Sequence, residues 1–188
     1  LIINNSLSED GVNFVDSEAN INLLKAEGIK SDAVDSDSSI IKIKKIICKN
    51  IFNDCLDLSY SNAKIGEILV SGTKDKAISA GESSEAQIDY LNVSNSSIGL
   101  VAKDSSIINL KKYDYSSVEV PIAAFIKKPE LGSPFINIYD MNADGKGRTL
   151  ISNDSYVNTS GKAMKGYLTS SNISKMLYGN IYGIKTQR

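Results

Sequence analysis

The stretch "AISAGESSEAQI" at residues 77–88 and the stretch "LVAKDSSIINL" at residues 100–110 present residue types in the same order. Each contains a charge, two serines and then an apolar pair. A match of this kind at a fixed spacing indicates a structural repeat, which outweighs any local preference for helix or strand.

The repeat extends over five copies. One apolar position recurs at steps of 22, 22, 23 and 22 residues, and its members are Ile21, Ile43, Ile65, Ile88 and Leu110. The position two residues earlier holds Ala19, Ile41, Ala63, Ala86 and Ile108. The residues next to the anchor are polar or glycine, so apolar and polar side chains alternate with period two. This pattern predicts one strand per copy, with one side buried and the other exposed.

A serine stands four residues before the apolar anchor in every copy, as Ser17, Ser39, Ser61, Ser84 and Ser106. This position has the same parity as the buried ones, so we expect the hydroxyls to point inward at a bend and to bond to the backbone. Equivalent nucleophiles in successive copies, without a general base, have no catalytic use. We therefore interpret the column as a structural ladder.

Strands in constant register at this period predict a parallel β-helix, an all-β solenoid whose coils stack at about 4.8 Å. The spine of leucine-rich repeats is absent, and helical repeats are longer. We predict about six coils over residues 1–140, the last at "SPFINIYD" (133–140) after the insertion "KKPELG" (127–132). Residues 141–188 form an irregular C-terminal cap of the same domain, with a short helix at 170–179 that is capped by Ser170 or Ser171. The pattern begins within a repeat near Gly11, so we expect other domains of a longer polypeptide.

The composition excludes several classes of function. A formal net charge of −1 and a pI of about 5.6 give no basic field for nucleic acid. No apolar run approaches the roughly 18 residues of a membrane span. Histidine is absent, which excludes serine-histidine catalysis and histidine-based zinc sites. We interpret Cys48 and Cys55 as buried free thiols, with one disulfide as the alternative.

Three segments carry a resemblance to a known family: "DKAISAGESS" at 75–84, "VAKDSS" at 101–106 and "AAFIKK" at 123–128. With the coil pattern, they resemble the right-handed parallel β-helix, or pectin-lyase-like, superfamily. More narrowly, they resemble bacterial β-helix regions that in some proteins follow a spore-coat-kinase-like domain. The resemblance covers roughly residues 11–140. It implies a right-handed solenoid and a carbohydrate ligand, since the superfamily contains polysaccharide lyases, hydrolases, epimerases and adhesins.

Lyases of that superfamily use an arginine or lysine base beside carboxylates that hold calcium. The repeated coils contain no arginine, and we expect no strand with a cluster of three or four acids. An inherited lyase activity is therefore not favoured.

Charged residues before the serine ladder are the candidate ligand-binding site. Asp37, Ser59, Glu82 and Asp104 are predicted to stack in one column, with Asp35 and Asp57 nearby. A mixed-charge patch along one edge is predicted from Lys76, Glu82, Lys103, Asp104 and Lys127. We favour a charge ladder that holds the coils in register. The alternatives are a glycan-binding patch and a lysine base with a carboxylate partner.

Asp140, Asn142 and Asp144 have the D-x-N-x-D-G spacing that begins a calcium loop. The twelfth position is Ile151 instead of glutamate, so a plain turn is favoured. We therefore expect no cofactor, and calcium is the alternative.

Two principal functions follow. The first is a non-catalytic module of a bacterial extracellular or cell-envelope protein, which acts as a rigid scaffold or a glycan-contacting surface. The second is a polysaccharide lyase, epimerase or hydrolase that uses lysine and carboxylates, with or without calcium. Lateral assembly, as in adhesins, is a third.

Overall fold

The computed structural model describes residues 1–145, 147–179 and 182. Within this part, the strands are β1 (Ile2–Asn4), β2 (Asp10–Val15), β3 (Glu18–Glu27), β4 (Asp32–Asp37), β5 (Ile40–Lys49), β6 (Leu56–Ser59), β7 (Asn62–Ser71), β8 (Lys76–Gly81), β9 (Glu85–Lys103), β10 (Ile107–Phe125), β11 (Phe135–Asp144), β12 (Leu150–Ile151), β13 (Tyr156–Thr159) and β14 (Lys162–Met164). One helix follows, α1 (Ser170–Tyr178). The end of the predicted cap, residues 183–188, lies outside the described part.

Each coil contributes a strand segment to three faces, and each segment pairs in parallel with its equivalent in the next coil. Face 1 contains the apolar anchors and runs from residues 18–21 to residues 156–159. Face 2 follows after a bend and runs from β1 to residues 140–144. Face 3 consists of β2, β4, β6, β8, the ends of β9 and β10, and β12. The predicted parallel solenoid is confirmed, with about seven turns instead of six.

The predicted columns are the observed register. Ile21 pairs with Ile43, Ile43 with Ile65 and Ile65 with Ile88, and the column continues through Leu110 to Ile138 in the predicted sixth coil. Ile41, Ile43 and Ile65 are at most 2% exposed. Burial of one such side chain contributes about 1.5–3 kcal/mol, so these columns form the core.

Left-handed backbone conformations mark two corners of each of the first five coils. Ser38, Tyr60, Glu82 and Asp104 turn the chain from face 3 to face 1, with φ between 47° and 54°. The fourth and fifth coils add one further left-handed residue each, Ser83 and Ser105, which explains the single step of 23. At the other corner, Gly28 and Gly72 adopt φ of 65° and 80°, which glycine tolerates without strain.

The serine column is the predicted structural ladder. The backbone N–H of Ser39 donates to Oγ of Ser61, and the N–H of Ser61 donates to Oγ of Ser84, both at 3.0 Å. Ser61 Oγ in turn donates to the carbonyl of Ser36 at 2.8 Å. These hydroxyls are at most 2% exposed and satisfy backbone groups at the bend, so they are not available for catalysis.

Cys48 and Cys55 form a disulfide, so the preferred interpretation as free thiols is wrong. Cys48 belongs to the inward column of face 2, and Cys55 lies at the start of the same coil's face 3 segment. The bond therefore closes the corner between these faces from the inside, where both residues are at most 1% exposed.

The periodicity continues beyond Asp140. β11 runs to Asp144, and β12 and β13 build a seventh turn that β14 closes as an antiparallel hairpin. The predicted helix is present, but its N-cap is Thr169. Its apolar side, Ile173 and Leu177, packs on the outer side of face 3. The helix thus covers a side of the solenoid, where outward apolar residues replace the charges of earlier coils.

Candidate functional site

The outer side of face 3 carries stacked charges. Asp10, Asp32 and Asp54 occupy one column that Lys76 continues. A second column holds Asn13, Asp35, Asp57 and Ser79, and Lys103 follows Gly81 in a third. We call Asp32, Asp35, Asp54, Asp57, Lys76, Ser79 and Lys103 the charged face. The expectation that no strand clusters three acids is wrong, since β4 carries Asp32, Asp35 and Asp37.

A buried ion cluster lies at the centre of the charged face. Lys76 Nζ is 2.5 Å from Asp75 Oδ2 and 3.3 Å from both carboxylate oxygens of Asp54. All three residues are at most 5% exposed. Burial opposes the charged ammonium, but the carboxylates of Asp54 and Asp75 outweigh it and hold the pKa of Lys76 above its usual range. The ion pairs therefore favour the charged form of Lys76, in which the ammonium has no lone pair to accept a proton.

Two aspartates of the charged face, Asp32 and Asp35, have pKa values above the ordinary range of aspartate. Burial, and then the adjacent carboxylates of Asp37 and Asp57, raise the pKa of Asp35 to about 7. Burial raises the pKa of Asp32 to about 6, although the hydrogen bond from the Asp54 N–H offsets part of that rise. The charged face can therefore hold protons near neutral pH.

Two neighbouring polar atoms of the charged face lack a hydrogen-bond partner in the described part of the chain. They are Oδ1 of Asp57 and Oγ of Ser79, which belong to paired residues of adjacent coils. Lys103 crosses Gly81 beside them, where an added β-carbon would lie 3.2 Å from its Cε. Its ammonium makes no hydrogen bond or salt bridge to any described residue. The charged face therefore places an ammonium donor, Lys103, beside two polar atoms that are also without a partner, Asp57 Oδ1 and Ser79 Oγ.

Lys103 is cationic despite its burial. Burial lowers the pKa of its ammonium, but the attraction of the Tyr178 hydroxyl and of the Asp57 and Asp54 carboxylates outweighs this and leaves the pKa above its ordinary value. Tyr178, at the end of α1, lies at the edge of the charged face next to Lys103. Lys127 Nζ lies 4.5 Å and Lys76 Nζ 5.5 Å from its ring centroid, within cation–π range.

The predicted patch is divided between two places. Lys76, Lys103 and Lys127 surround Tyr178, whereas Glu82 and Asp104 lie at the corner towards face 1. Glu82 accepts one hydrogen bond from Ser59 Oγ at 2.9 Å and pairs with Lys128 at 2.8 Å. Asp104 Oδ1 accepts the backbone N–H groups of Lys127 and Lys128. These two carboxylates hold the corner and the insertion in place.

The predicted acidic column needs one correction. Ser59 pairs with Gly81 and not with Glu82, because the corner of the fourth coil contains one more residue than that of the third. Glu82 therefore leaves the outer side of face 3.

Sequence reasoning missed Asp54, Asp75, Ser79 and Tyr178. The period of 22 residues could have found Asp54, since Asp10, Asp32 and Asp54 follow it without a break. Ser79 follows Asp35 and Asp57 at the same step. Tyr178 belongs to the aperiodic segment, where the repeat gives no information.

The calcium spacing falls in a strand, so the expected turn is wrong. Asp140, Asn142 and Asp144 lie in β11, which pairs with β10 throughout. Alternate side chains of a strand project in parallel about 6.6 Å apart and do not converge on one ion. Asn142 instead donates to Asp114 at 2.9 Å. Among the described residues, no group of three or more acids or cysteines has the geometry of a metal site.

Comparisons with protein-family models, curated proteins and solved structures find no match to this chain. Within the described part of the chain, no helix has the length and apolar character needed to cross a membrane.

Proposed function

We propose that this protein is a non-catalytic β-solenoid module that holds a polysaccharide on its charged face. In this role, it is part of a longer bacterial protein of the cell envelope or extracellular space. The Cys48–Cys55 disulfide supports such a location, since disulfides persist mainly in oxidising compartments. The continuous pairing of each coil with the next supports a rigid scaffold that presents one extended surface.

One observation carries the proposal. Asp57 Oδ1 and Ser79 Oγ are neighbouring buried atoms without a partner in the described part of the chain, and the Lys103 ammonium lies beside them. A buried polar group left unsatisfied costs about 1–3 kcal/mol. A sugar hydroxyl can accept a hydrogen bond from the Lys103 ammonium and donate one to Asp57 Oδ1, and so provide a partner for each of these two groups. Tyr178 at the edge of the charged face offers an aromatic surface for the ring of the same sugar.

Binding to a polysaccharide array, with and without calcium, tests the proposal. We expect the wild type to bind at least one polysaccharide. Lys103→Met should weaken that binding about tenfold, the effect of a lost hydrogen bond to a charged group, and Ser79→Ala about threefold, the effect of a lost neutral hydrogen bond. Lys42→Met, which removes an exposed lysine of face 1, is the matched control and should bind as wild type does. Thermal melting establishes that each variant is folded. Equal binding by all four proteins, or by none, would reject the proposal.

A second candidate function is polysaccharide hydrolysis, and the Asp35–Asp57 pair favours it. These carboxylates face outward from adjacent coils, and the pKa of about 7 keeps Asp35 partly protonated at neutral pH. In a hydrolase, Asp35 would give its proton to the leaving oxygen as the glycosidic bond breaks. Paired residues of adjacent coils lie about 4.8 Å apart, which suits a retaining enzyme, so Asp57 would attack the sugar carbon and form a glycosyl–enzyme ester. Water that gives a proton to the Asp35 carboxylate would then displace Asp57 from the sugar carbon.

Product analysis on the same array separates the two functions. A hydrolase would release new reducing ends, and Asp35→Asn would abolish their release while the fold is retained. Unsaturated products would instead indicate a lyase. If wild type binds and releases nothing, the module is non-catalytic.

A further inference from the structure

The outer side of face 1 changes character along the solenoid. Asn109, Asn137 and Asn158 pair in register across the fifth, sixth and seventh coils. Ile107, Phe135 and Tyr156 form the neighbouring column in the same coils. Tyr139 lies on the other side of the asparagines, two residues after Asn137. We call Asn109, Asn137, Asn158, Tyr139 and Tyr156 the amide–tyrosine platform.

The platform's polar groups are not used by the described part of the chain. The side-chain amides of its three asparagines make no hydrogen bond to any described residue. Tyr139 and Tyr156 are each 64% exposed, whereas Tyr113 and Tyr115 of face 2 are buried in the core. Exposed rings next to unpaired amides combine apolar surface with donors and acceptors, which is the combination that tyrosine-rich binding surfaces use.

A shallow cavity of about 380 Å³ adjoins the platform. Asn109, Gln87 and Tyr139 line it together with Lys64, Asp89 and Lys111. Asp89 and Lys111 pair with each other at 2.7 Å, so the charge that this cavity presents to a ligand is that of Lys64, at its end away from the platform. The cavity extends the platform towards the fourth coil and gives it a concave end.

The platform itself carries no charged side chain, which decides the kind of ligand. In the asparagine column, Lys42 and Lys64 of the second and third coils are followed by Gln87, so the column carries only amides from the fourth coil onward. In the neighbouring column, Glu85 is followed by Ile107 and then by aromatic residues. Neutral amides pair with hydroxyls and do not attract either sign of charge. Their repeat of about 4.8 Å along the axis suits a ligand that is itself a chain of similar units.

We propose that the amide–tyrosine platform binds an uncharged polysaccharide that lies along the solenoid axis. The asparagine amides donate to and accept from its hydroxyls, and Tyr139 and Tyr156 stack on the apolar sides of its sugar rings. This site is separate from the charged face and does not depend on the function proposed there.

Electrophoresis in native gels that contain one polysaccharide each tests the platform. The probes are four soluble neutral polymers, namely dextran, mannan, xylan and mixed-linkage β-glucan, and polygalacturonate as the acidic comparison. We expect at least one neutral polymer to retard the protein and polygalacturonate not to do so through this surface. Tyr156→Ala and Asn137→Ala should each weaken the retardation by about three- to tenfold, the value of one stacking or hydrogen-bond contact.

Tyr60→Ala is the matched control, since Tyr60 is 57% exposed but lies at the corner between faces 3 and 1 in the third coil. It should bind as wild type does. Lys103→Met distinguishes the two sites, because it should alter the charged face and leave binding to the platform unchanged. The proposal is rejected if no neutral polymer retards the protein, or if Tyr156→Ala and Asn137→Ala bind like the wild type. A shift in mass on light scattering that Tyr156→Ala abolishes would instead assign the platform to self-association.

Discussion

The outer sides of face 3 and face 1 belong to the same coils but differ in how far their charged residues are exposed. On face 3, Asp54 and Lys76 are at most 4% exposed and bond to each other. The helix α1 packs on the same outer side, over the later coils. On face 1, Lys42 and Lys64 are exposed at the equivalent stage of the solenoid. The repeat fixes where a side chain projects, and what packs beside it decides its energetic role.

Burial decides how much a pair of lysine and aspartate contributes to stability on each face. The Lys111–Asp89 pair of face 1 is well exposed, with 74% and 60% of the side chains accessible, and contributes little to stability. The Lys76 ammonium is shared by two buried carboxylates, and removal of either partner leaves an uncompensated charge in the protein.

The largest effect is expected for Lys76→Met. The substitution leaves Asp54 and Asp75 buried without their cation, which should cost about 3–5 kcal/mol of unfolding free energy. Lys64→Met removes an exposed lysine of face 1 and should change stability by less than about 0.5 kcal/mol. Urea denaturation followed by circular dichroism measures both. Similar losses for the two variants would mean that burial does not distinguish the faces.

A smaller effect should separate two buried serines. Ser61→Ala removes the acceptor of the Ser39 N–H at the corner and should cost about 1–3 kcal/mol. Ser79→Ala removes a hydroxyl that has no partner in the described part of the chain, so the same measurement should show a change near zero or a slight gain. A clear loss for Ser79→Ala in the absence of ligand would show that its hydroxyl is satisfied and would weaken the binding site proposed on the charged face.

The repeat made most of the fold predictable from sequence. Strand pairing places each residue on its equivalent in the next coil, so columns such as Ile21, Ile43 and Ile65 are visible as fixed spacings. The seventh turn was missed because its spacing is interrupted after Asp144. The step of 23 residues did not show where in the coil the extra residue lies. It lies at the corner of the fourth coil, so Glu82 is at the corner and not on face 3.

The candidate site was only partly predictable. Lys76 and Lys103 were chosen for their charge, but their roles depend on Asp54 and Tyr178, which reach them from another coil and from α1. The calcium spacing at Asp140 misled for a related reason, since a motif specifies a loop only when the backbone is free to curl. Pairing with β10 keeps these residues extended.

The smallest effect concerns the pH dependence of stability, which should also distinguish the faces. The pKa of Asp35 is about 7 in the folded protein and 3.8 for an ordinary aspartate, so the folded state retains a proton that the unfolded state releases. Its contribution is complete below about pH 4 and is lost as the pH rises through 7. Asp35→Asn should match wild type near pH 4 and become the more stable protein by pH 8, to an extent that solvent reduces because Asp35 is partly exposed. Asn137→Ala on face 1 removes no titratable group, so its unfolding free energy should vary with pH as that of the wild type does. The same pH dependence in Asp35→Asn as in wild type would mean that another group holds the proton.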